Sequence, residues 1–163
     1  MAHCLIGAAA LAAHGVSRST LDIDLLVTDL SLLADTPWDP LKALGTAVEV
    51  RRGDDTDPLA GVVRFDAPGE RTVDLIVAKA AWQAALIGRA RSIHLADLDL
   101  PVAEAADLVL LKLYAGGPQD LWDIQQLLET SESERIVADV DVRIRQLAEE
   151  QRRLWQRFRT GDA

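Results

Sequence analysis

Two aspartates, Asp22 and Asp24, stand two residues apart in the apolar segment LDIDLLV, from Leu21 to Val27. The alternation predicts a strand, on which side chains two residues apart share one face and lie about 6.6 Å apart along it. Two such carboxylates can bind one Mg²⁺ or bridge two ions about 3.5–4 Å apart, an arrangement suited to nucleotidyl transfer. Taken alone, the pattern is weak and more often marks a solvated strand face.

Groups that could bind phosphate precede this acidic pair. A short apolar strand, HCLIG, ends at Gly7 and opens into an alanine-rich segment that predicts a helix, whose N-terminus would offer free N–H groups. Arg18 supplies a fork-shaped cation, and hydroxyl side chains surround it at Ser17, Ser19 and Thr20. A tight turn or a surface arginine would explain each feature separately, but their order favours a phosphate site.

A third carboxylate, Asp74, lies in the segment RTVDLIVA, which predicts another strand from Arg71 to Ala78. Its side chain faces opposite to those of Val73 and Leu75, because neighbouring residues of a strand alternate between faces. If this strand lies beside the LDIDLLV strand, the three carboxylates can share one site.

The elements that must position these residues change character along the chain. Strands are predicted at residues 3–7, 21–27, 47–52, 61–66 and 71–78, with a short helix at 41–44, a helix ending near Arg89 and an extended piece at 92–95. Pro101 is expected to open a long helix that GGP stops, followed by the helix QDLWDIQQLLE, a capping box from Ser131 to Glu134, and one amphipathic helix over 140–159.

This order predicts one α/β (α+β) domain over residues 1–163. Its α/β catalytic part would cover residues 1–100, with a mixed or antiparallel sheet and an early helix on one side, and its helical C-terminal part would cover 101–163. The length of 163 residues allows a single packed core, and the 49% apolar content argues against disorder.

Composition excludes several classes of function. The net charge of −9 argues against charge-driven coating of nucleic acid, and no apolar run reaches the roughly 18 residues of a membrane span. The single cysteine, Cys4, excludes an internal disulfide. The apolar start lacks the basic residues of a signal peptide, so a cytoplasmic protein is expected.

The stretch LIGAAALAAHGVSRSTLDIDLLV resembles the signature of the DNA polymerase β-like nucleotidyltransferase superfamily, and within it the small bacterial AbiEii-type and minimal nucleotidyltransferases. That signature runs strand, Gly-Ser or Gly-Gly, helix, then Arg-x-Thr-x-Asp-x-Asp, and a third acid follows on a later strand. The matching residues here are Gly7, Arg18, Thr20, Asp22, Asp24 and Asp74. The segment DLVLLKLYAGGPQDLWDIQQLL resembles the family's helical region and points to Lys112, Asp120 and Asp123.

The resemblance implies a nucleotidyltransferase-like mixed sheet flanked by helices, and transfer of a nucleoside monophosphate from an NTP to an acceptor hydroxyl. Asp22 and Asp24 would hold Mg²⁺ or Mn²⁺, and Asp74 would complete the metal site or accept the hydroxyl proton. The implied nucleotide-binding residues are Gly7, Ala8, Arg18, Ser19, Thr20 and Lys112. The acceptor stays open between tRNA, a protein and a small molecule, and the partner could be an antitoxin or a second copy of the chain.

Two departures from the family pattern support rival hypotheses. Ala8 stands where active members often carry a serine, and the sequence begins almost directly on the first strand, where relatives commonly have a preceding helix. A catalytically silent nucleotide-binding or scaffold protein would show both features. A third hypothesis is an RNA-binding or antitoxin-like protein that uses the final helix, whose segment 143–159 carries six arginines and two glutamates.

The helical residues have structural readings beside the functional one. Lys112 lies among leucines, so its ammonium needs a partner, which Asp120, Asp123 or a bound nucleotide could provide. Asp120 and Asp123 are three residues apart and share a helix face. The arginines of the final helix could equally pair with the acidic segment between Asp120 and Asp141.

Overall fold

The computed structural model describes residues 1–19, 22–95 and 98–161 of the chain. Two compact units are present. The first comprises Met1–Ala10 and Ser19–Ala103, and the second comprises Leu11–Arg18 and Glu104–Ala163. Thr20, which the sequence places in the nucleotide site, lies outside the described residues.

A mixed sheet forms the first unit, as predicted. The strands found in the described part of this unit are β1 (His3–Ile6), β2 (Asp22–Val27), β3 (Ala47–Arg52), β4 (Leu59–Asp66), β5 (Thr72–Ala78), β6 (Arg91–Leu95) and β7 (Leu98–Val102). They lie side by side in the order β3-β4-β5-β2-β1-β7-β6. The β2–β5 and β1–β7 pairs are parallel, and the other neighbours are antiparallel.

Apolar positions repeated at every second residue explain the central strands. Val27, Val63, Leu75 and Val77 form a buried cluster on β2, β4 and β5, because alternate residues of a strand point to one face. The helices that begin in this unit are α1 (Gly7–Ala13), α2 (Asp39–Ala43) and α3 (Ala81–Arg89). Strand β2, which carries two of the predicted site carboxylates, therefore lies in the well-packed middle of the sheet.

The prediction that Pro101 opens a helix is wrong. Pro101 lies inside strand β7, opposite Ser92 of β6, and helix α4 begins only at Ala105. Strand β7 pairs along its length with β6, but β1 meets it in register at one pair, Leu5–Val102. The β1 side of β7 therefore has few ladder bonds, and a proline without an N–H is tolerated there. The alternation of leucines in the segment LDLPV is the strand signal that the proline obscured.

The second unit is a group of helices around an apolar core. Its main helices are α4 (Ala105–Ala115), α5 (Pro118–Leu128), α6 (Ser133–Arg143) and α7 (Glu149–Thr160). Large side chains from all four are fully or almost fully buried, including Leu110, Ile124, Val140 and Trp155. None of the helices in the described ranges is both long enough and apolar enough to cross a membrane.

A buried arginine links α6 to the start of α4. Arg143 donates to Glu104 at 2.7 Å and to Asp107 at 2.9 Å, and the Asp107 side chain is fully buried. Burial lowers the pKa of Arg143, but its hydrogen bond to Glu104 and the charge of Asp107 outweigh that effect and raise the pKa overall. This ion cluster stabilises the unit only while all its members are present, since a lone buried charge is costly.

The single amphipathic helix expected over 140–159 is also wrong, because the chain breaks into two helices there. Helix α6 ends at Arg143, a short 3-10 turn covers Ile144–Gln146, and α7 starts at Glu149. The extended backbone at Leu147 and Ala148 lets α7 return to α6, where the Trp155 indole donates to Asp141 at 2.8 Å. An uninterrupted helix would carry Trp155 away from this partner.

Candidate functional site

Strands β2 and β5 bring the three predicted carboxylates onto one face of the sheet. Asp24 lies directly opposite Asp74 in the parallel β2–β5 pair, and Asp22 lies opposite Thr72. Residues opposite each other in a ladder, and residues two apart on one strand, point to the same face. The side chain of Asp74 is 10% exposed and that of Asp22 is 43% exposed, so the group opens toward solvent on its Asp22 side.

An arginine that the sequence analysis did not assign to the site completes this group. Arg64 of β4 lies opposite Asp74 of β5 and donates from Nε to Oδ1 at 2.9 Å and from Nη2 to Oδ2 at 2.6 Å. The same Nη2 lies 3.7 Å from Oδ2 of Asp22. These hydrogen bonds to Asp74 raise the pKa of the Arg64 guanidinium above its ordinary value. We name Asp22, Asp24, Asp74 and Arg64 the sheet cluster.

The sheet cluster belongs to a row of charged side chains that crosses four strands. In register order the row reads Glu49, Arg64, Asp74 and Asp24, from β3 through β4 and β5 to β2. Glu49 is mostly exposed and accepts hydrogen bonds from Arg51 at 2.8 and 3.2 Å. Arg64 therefore lies between an almost buried carboxylate and an exposed one.

Gly7 is required where helix α1 begins beside the sheet cluster. Its φ of +63° is a conformation that other residues rarely adopt, and a Cβ atom built on it would collide with the Asp24 carboxylate. The backbone of the strand-to-helix turn therefore passes directly against Asp24. The next residue, Ala8, is buried in the core, and its contact with a nucleotide stays a prediction. Ser19 is exposed at the other end of this connection.

Four other predicted site residues meet in the helical unit. Lys112 of α4 lies 2.8 Å from Oδ1 of Asp120 and 2.7 Å from Oδ2 of Asp123, both on α5. Asp120 also accepts from the Gly117 N–H at 3.1 Å, which satisfies a free donor at the start of α5. Nε of Arg18 lies 3.9 Å from Oδ1 of Asp123. We name Lys112, Asp120, Asp123 and Arg18 the helical cluster.

The helical cluster contains the more deeply buried charges of the two clusters. The Asp123 side chain is fully buried and that of Lys112 is 14% exposed. The ion pairs with Asp120 and Asp123 provide the partners that a lysine among leucines requires. Contact of Lys112 or Arg18 with a nucleotide stays a prediction, as does a functional role for Asp120 and Asp123.

The donor set of the sheet cluster fits a hard divalent cation in part. Carboxylate oxygens are the ligands Mg²⁺ prefers, and it commonly takes one or two from the protein and the rest from water and phosphates. Asp22 and Asp24 supply two on one face. Both oxygens of Asp74, however, accept from Arg64. As the side chains stand, no three His, Cys, Asp or Glu residues within 1–19, 22–95 and 98–161 form a group that could hold a metal ion.

The arginines of α7 and its surroundings are largely paired. Arg159 contacts Asp141 at 2.9 Å, and Arg152 and Arg153 contact Glu149 at 3.1 and 3.0 Å. The Arg159 contact is the pairing with the acidic segment that the sequence left open as the alternative to RNA binding. It reduces the positive charge that this helix offers to a polyanion.

Comparisons with known proteins identify the fold. No protein-family model matches the sequence, and no curated protein matches it significantly. The structure is similar to the crystal structure of ANT(2'')-Ia in complex with adenylyl-2''-tobramycin, with a TM-score of 0.55 and 15% identity over 90% of this chain and 88% of that one. It is also similar to the solution structure of the antibiotic-resistance factor ANT(2'')-Ia, with a TM-score of 0.52 and 12% identity over 86% and 80% of the two chains. The predicted nucleotidyltransferase-like α/β fold is thereby confirmed.

Proposed function

We propose that the protein is a metal-dependent nucleotidyltransferase that moves a nucleoside monophosphate from an NTP to an acceptor hydroxyl. The observation that carries the proposal is the placement of Asp22, Asp24 and Asp74 on one face of the sheet, with Asp24 opposite Asp74. The fold shared with ANT(2'')-Ia supports it. When bound at such carboxylates, Mg²⁺ or Mn²⁺ would neutralise phosphate charge and stabilise the attacking and leaving oxygens.

The roles of the protein's own groups follow from their positions. Asp22 and Asp24 would hold the cation from the open side of the sheet cluster, and the Gly7 turn would let phosphate groups approach the backbone beside Asp24. The acceptor oxygen would form a bond to the α-phosphorus while the bond to pyrophosphate breaks. Asp74 would either join the metal site or take the proton that the acceptor hydroxyl releases.

The proposal specifies the acceptor by its reacting group, a hydroxyl. One structural neighbour was solved with adenylyl-2''-tobramycin, a nucleotidylated small molecule. We propose a hydroxyl acceptor on a small molecule, a tRNA or a protein. We also propose a cytoplasmic role, which could be that of the toxin-like member of a toxin–antitoxin pair, as the resemblance to AbiEii-type proteins implies. The sources of acceptor are distinguished by which fraction becomes labelled.

Transfer of label from α-labelled NTPs tests the proposal. Each of the four NTPs is incubated with the protein and Mg²⁺ in three separate reactions. The reactions contain, as the acceptor source, total RNA, total cellular protein or a set of hydroxylated antibiotics. The wild type is expected to label one fraction, and Asp22→Asn and Asp24→Asn to lower the rate by at least about 100-fold. Asp55→Asn, in an exposed turn of the same unit, is the matched control and should keep the wild-type rate. Equal labelling by Asp24→Asn and the wild type would contradict the proposal.

A second candidate function is nucleotide binding without transfer. The pairing of both Asp74 oxygens with Arg64 favours it, because this neutralises one of the three carboxylates. Calorimetry with each NTP and Mg²⁺ separates the two functions. Tight binding of an NTP, together with no label transfer to any of the three fractions, would favour the silent protein.

A further inference from the structure

Arg64 lies in the position that a metal ion would need at Asp74. Its guanidinium contacts both Asp74 oxygens and reaches within 3.7 Å of Asp22, so one cation already bridges two of the three carboxylates. Bidentate pairs of this kind are strong and directional, because two parallel N–H groups match two carboxylate oxygens. Solvent nevertheless reaches the pair, since the Arg64 side chain is 36% exposed.

The row of charged side chains contains a second carboxylate next to Arg64. Glu49 of β3 lies opposite Arg64 on the side away from Asp74. Its carboxylate is 58% exposed, and it already lies near positive charge from Arg51 and Arg64, both of which contribute to lowering the pKa of Glu49. A change in the Arg64 side-chain rotamer would thus move the guanidinium from one carboxylate toward another without burying an unpaired charge.

We propose that Arg64 is a tethered counter-ion that a divalent cation must displace from Asp74, and that the two compete for the sheet cluster. The identity of the cation as Mg²⁺ or Mn²⁺ rests on the proposed function. The reason is electrostatic. A guanidinium and a divalent ion on the same carboxylates repel each other, so binding of one weakens binding of the other. In the cation-free protein, Arg64 then neutralises part of the negative charge of the sheet cluster. Binding of the divalent cation releases Arg64 toward Glu49.

Titration of Mn²⁺ into the nucleotide-free protein, followed by the electron paramagnetic resonance of free Mn²⁺, measures the competition directly. Arg64→Gln removes the charge and is expected to tighten Mn²⁺ binding by at least about tenfold. Arg52→Gln is the matched control, because Arg52 lies in the same unit, carries the same charge and contacts Asp35, which belongs neither to the sheet cluster nor to the charged row. We expect Arg52→Gln to change the affinity by less than about threefold.

The Mn²⁺ affinity of Arg64→Lys is a further measurement, which would not change if Arg64 had only a structural role. Lysine keeps the charge but cannot make the bidentate pair, so its Mn²⁺ affinity should fall between those of the wild type and Arg64→Gln. In the wild type, Mg²⁺ should also speed solvent exchange of the Arg64 Nε–H observed by NMR. The Lys variant keeps the test open should the Gln variant unfold.

The outcomes separate this inference from the proposed function. Wild-type Mn²⁺ binding that Asp24→Asn abolishes, but that neither Arg64 variant tightens, would overturn the competition and leave the nucleotidyl-transfer proposal intact. If neither Arg64 variant binds Mn²⁺, the competition is overturned too, because removal of Arg64 should open the site. The fate of nucleotidyl transfer itself is read from the label-transfer assay.

Discussion

The two charged clusters contain similar residues but are balanced in opposite ways. The sheet cluster sets three carboxylates against one guanidinium, and its Asp22 is 43% exposed. The helical cluster sets two carboxylates against two cations, and its Asp123 is fully buried. A buried cluster must balance its charges within the protein, whereas an excess of negative charge beside solvent can be balanced by a cation from outside. The comparison favours a structural role for the helical cluster and supports the proposal that the sheet cluster binds a cation.

Removal of the central cation of the helical cluster should have the largest effect on stability. Lys112→Met leaves Asp123 buried without its closest cation, and we expect the free energy of unfolding to fall by about 3–5 kcal/mol. Denaturant unfolding followed by circular dichroism measures the change. Lys42→Met is the control, because Lys42 is more exposed and contacts Asp39 at 3.6 Å on the surface, so its loss should change stability by less than about 1 kcal/mol. Similar losses for both variants would remove the distinction between the clusters.

An added methyl group at Gly7 should distort the sheet cluster without changing its charge. In Gly7→Ala the new Cβ meets the Asp24 carboxylate and the residue keeps a positive φ, so we expect a loss of about 1–3 kcal/mol and a large fall in Mn²⁺ affinity. Gly69→Ala is the matched control, because Gly69 has a φ of +80° and a Cβ there meets nothing within 4 Å. The difference between the two variants isolates the collision with Asp24. Equal losses of stability and of Mn²⁺ affinity in the two variants would show that the Asp24 side chain moves aside at no cost.

Removal of one carboxylate from the sheet cluster should affect stability little and cation binding strongly. Asp22→Asn reduces an excess of negative charge on a partly exposed side chain, so the free energy of unfolding should change by less than about 1 kcal/mol. Mn²⁺ affinity should fall by at least about tenfold. A destabilisation as large as that of Lys112→Met would mean that Asp22 is a structural residue like Asp123.

The smallest effect is expected at the exposed end of the charged row. The hydrogen bond from Arg51 lowers the pKa of Glu49, so the pair stabilises the fold at neutral pH, and this contribution is lost as the pH falls through the carboxyl's folded-state pKa. Arg51→Gln should raise the Glu49 pKa toward its ordinary value. A carbon-detected NMR titration of the Glu49 carboxyl measures it, and an unchanged midpoint would show that Arg64 alone is sufficient to hold the charge.

The sequence was sufficient to predict elements whose side chains repeat with a clear period. Strands β2, β3 and β5 and helix α5 follow from alternating or helical apolar patterns. Two failures share a cause, namely that long-range packing overrides a local signal. Pro101 is accommodated where β7 has few ladder bonds to β1, and the predicted final helix breaks so that Trp155 can reach Asp141.

Arg64 escaped prediction because its role depends on strand register. Arg64 and Asp74 lie at equal distances on either side of Gly69, in the turn between β4 and β5. Pairing the two strands about that turn would have placed them opposite each other, so the signal was present once the hairpin was assumed. The full burial of Asp123 could not be read in this way, because it depends on how α4 packs against α5.

Strand β3 lies at one edge of the sheet, and its outer backbone groups lack a neighbouring strand within the described part of the chain. Edges of this kind invite pairing with another polypeptide, and charged side chains on them oppose such association. Glu49, Arg51 and Arg52 give β3 that protection. Charge-neutral substitutions made to study the row should therefore be followed by light scattering, because variants that weaken this edge are the ones expected to form aggregates.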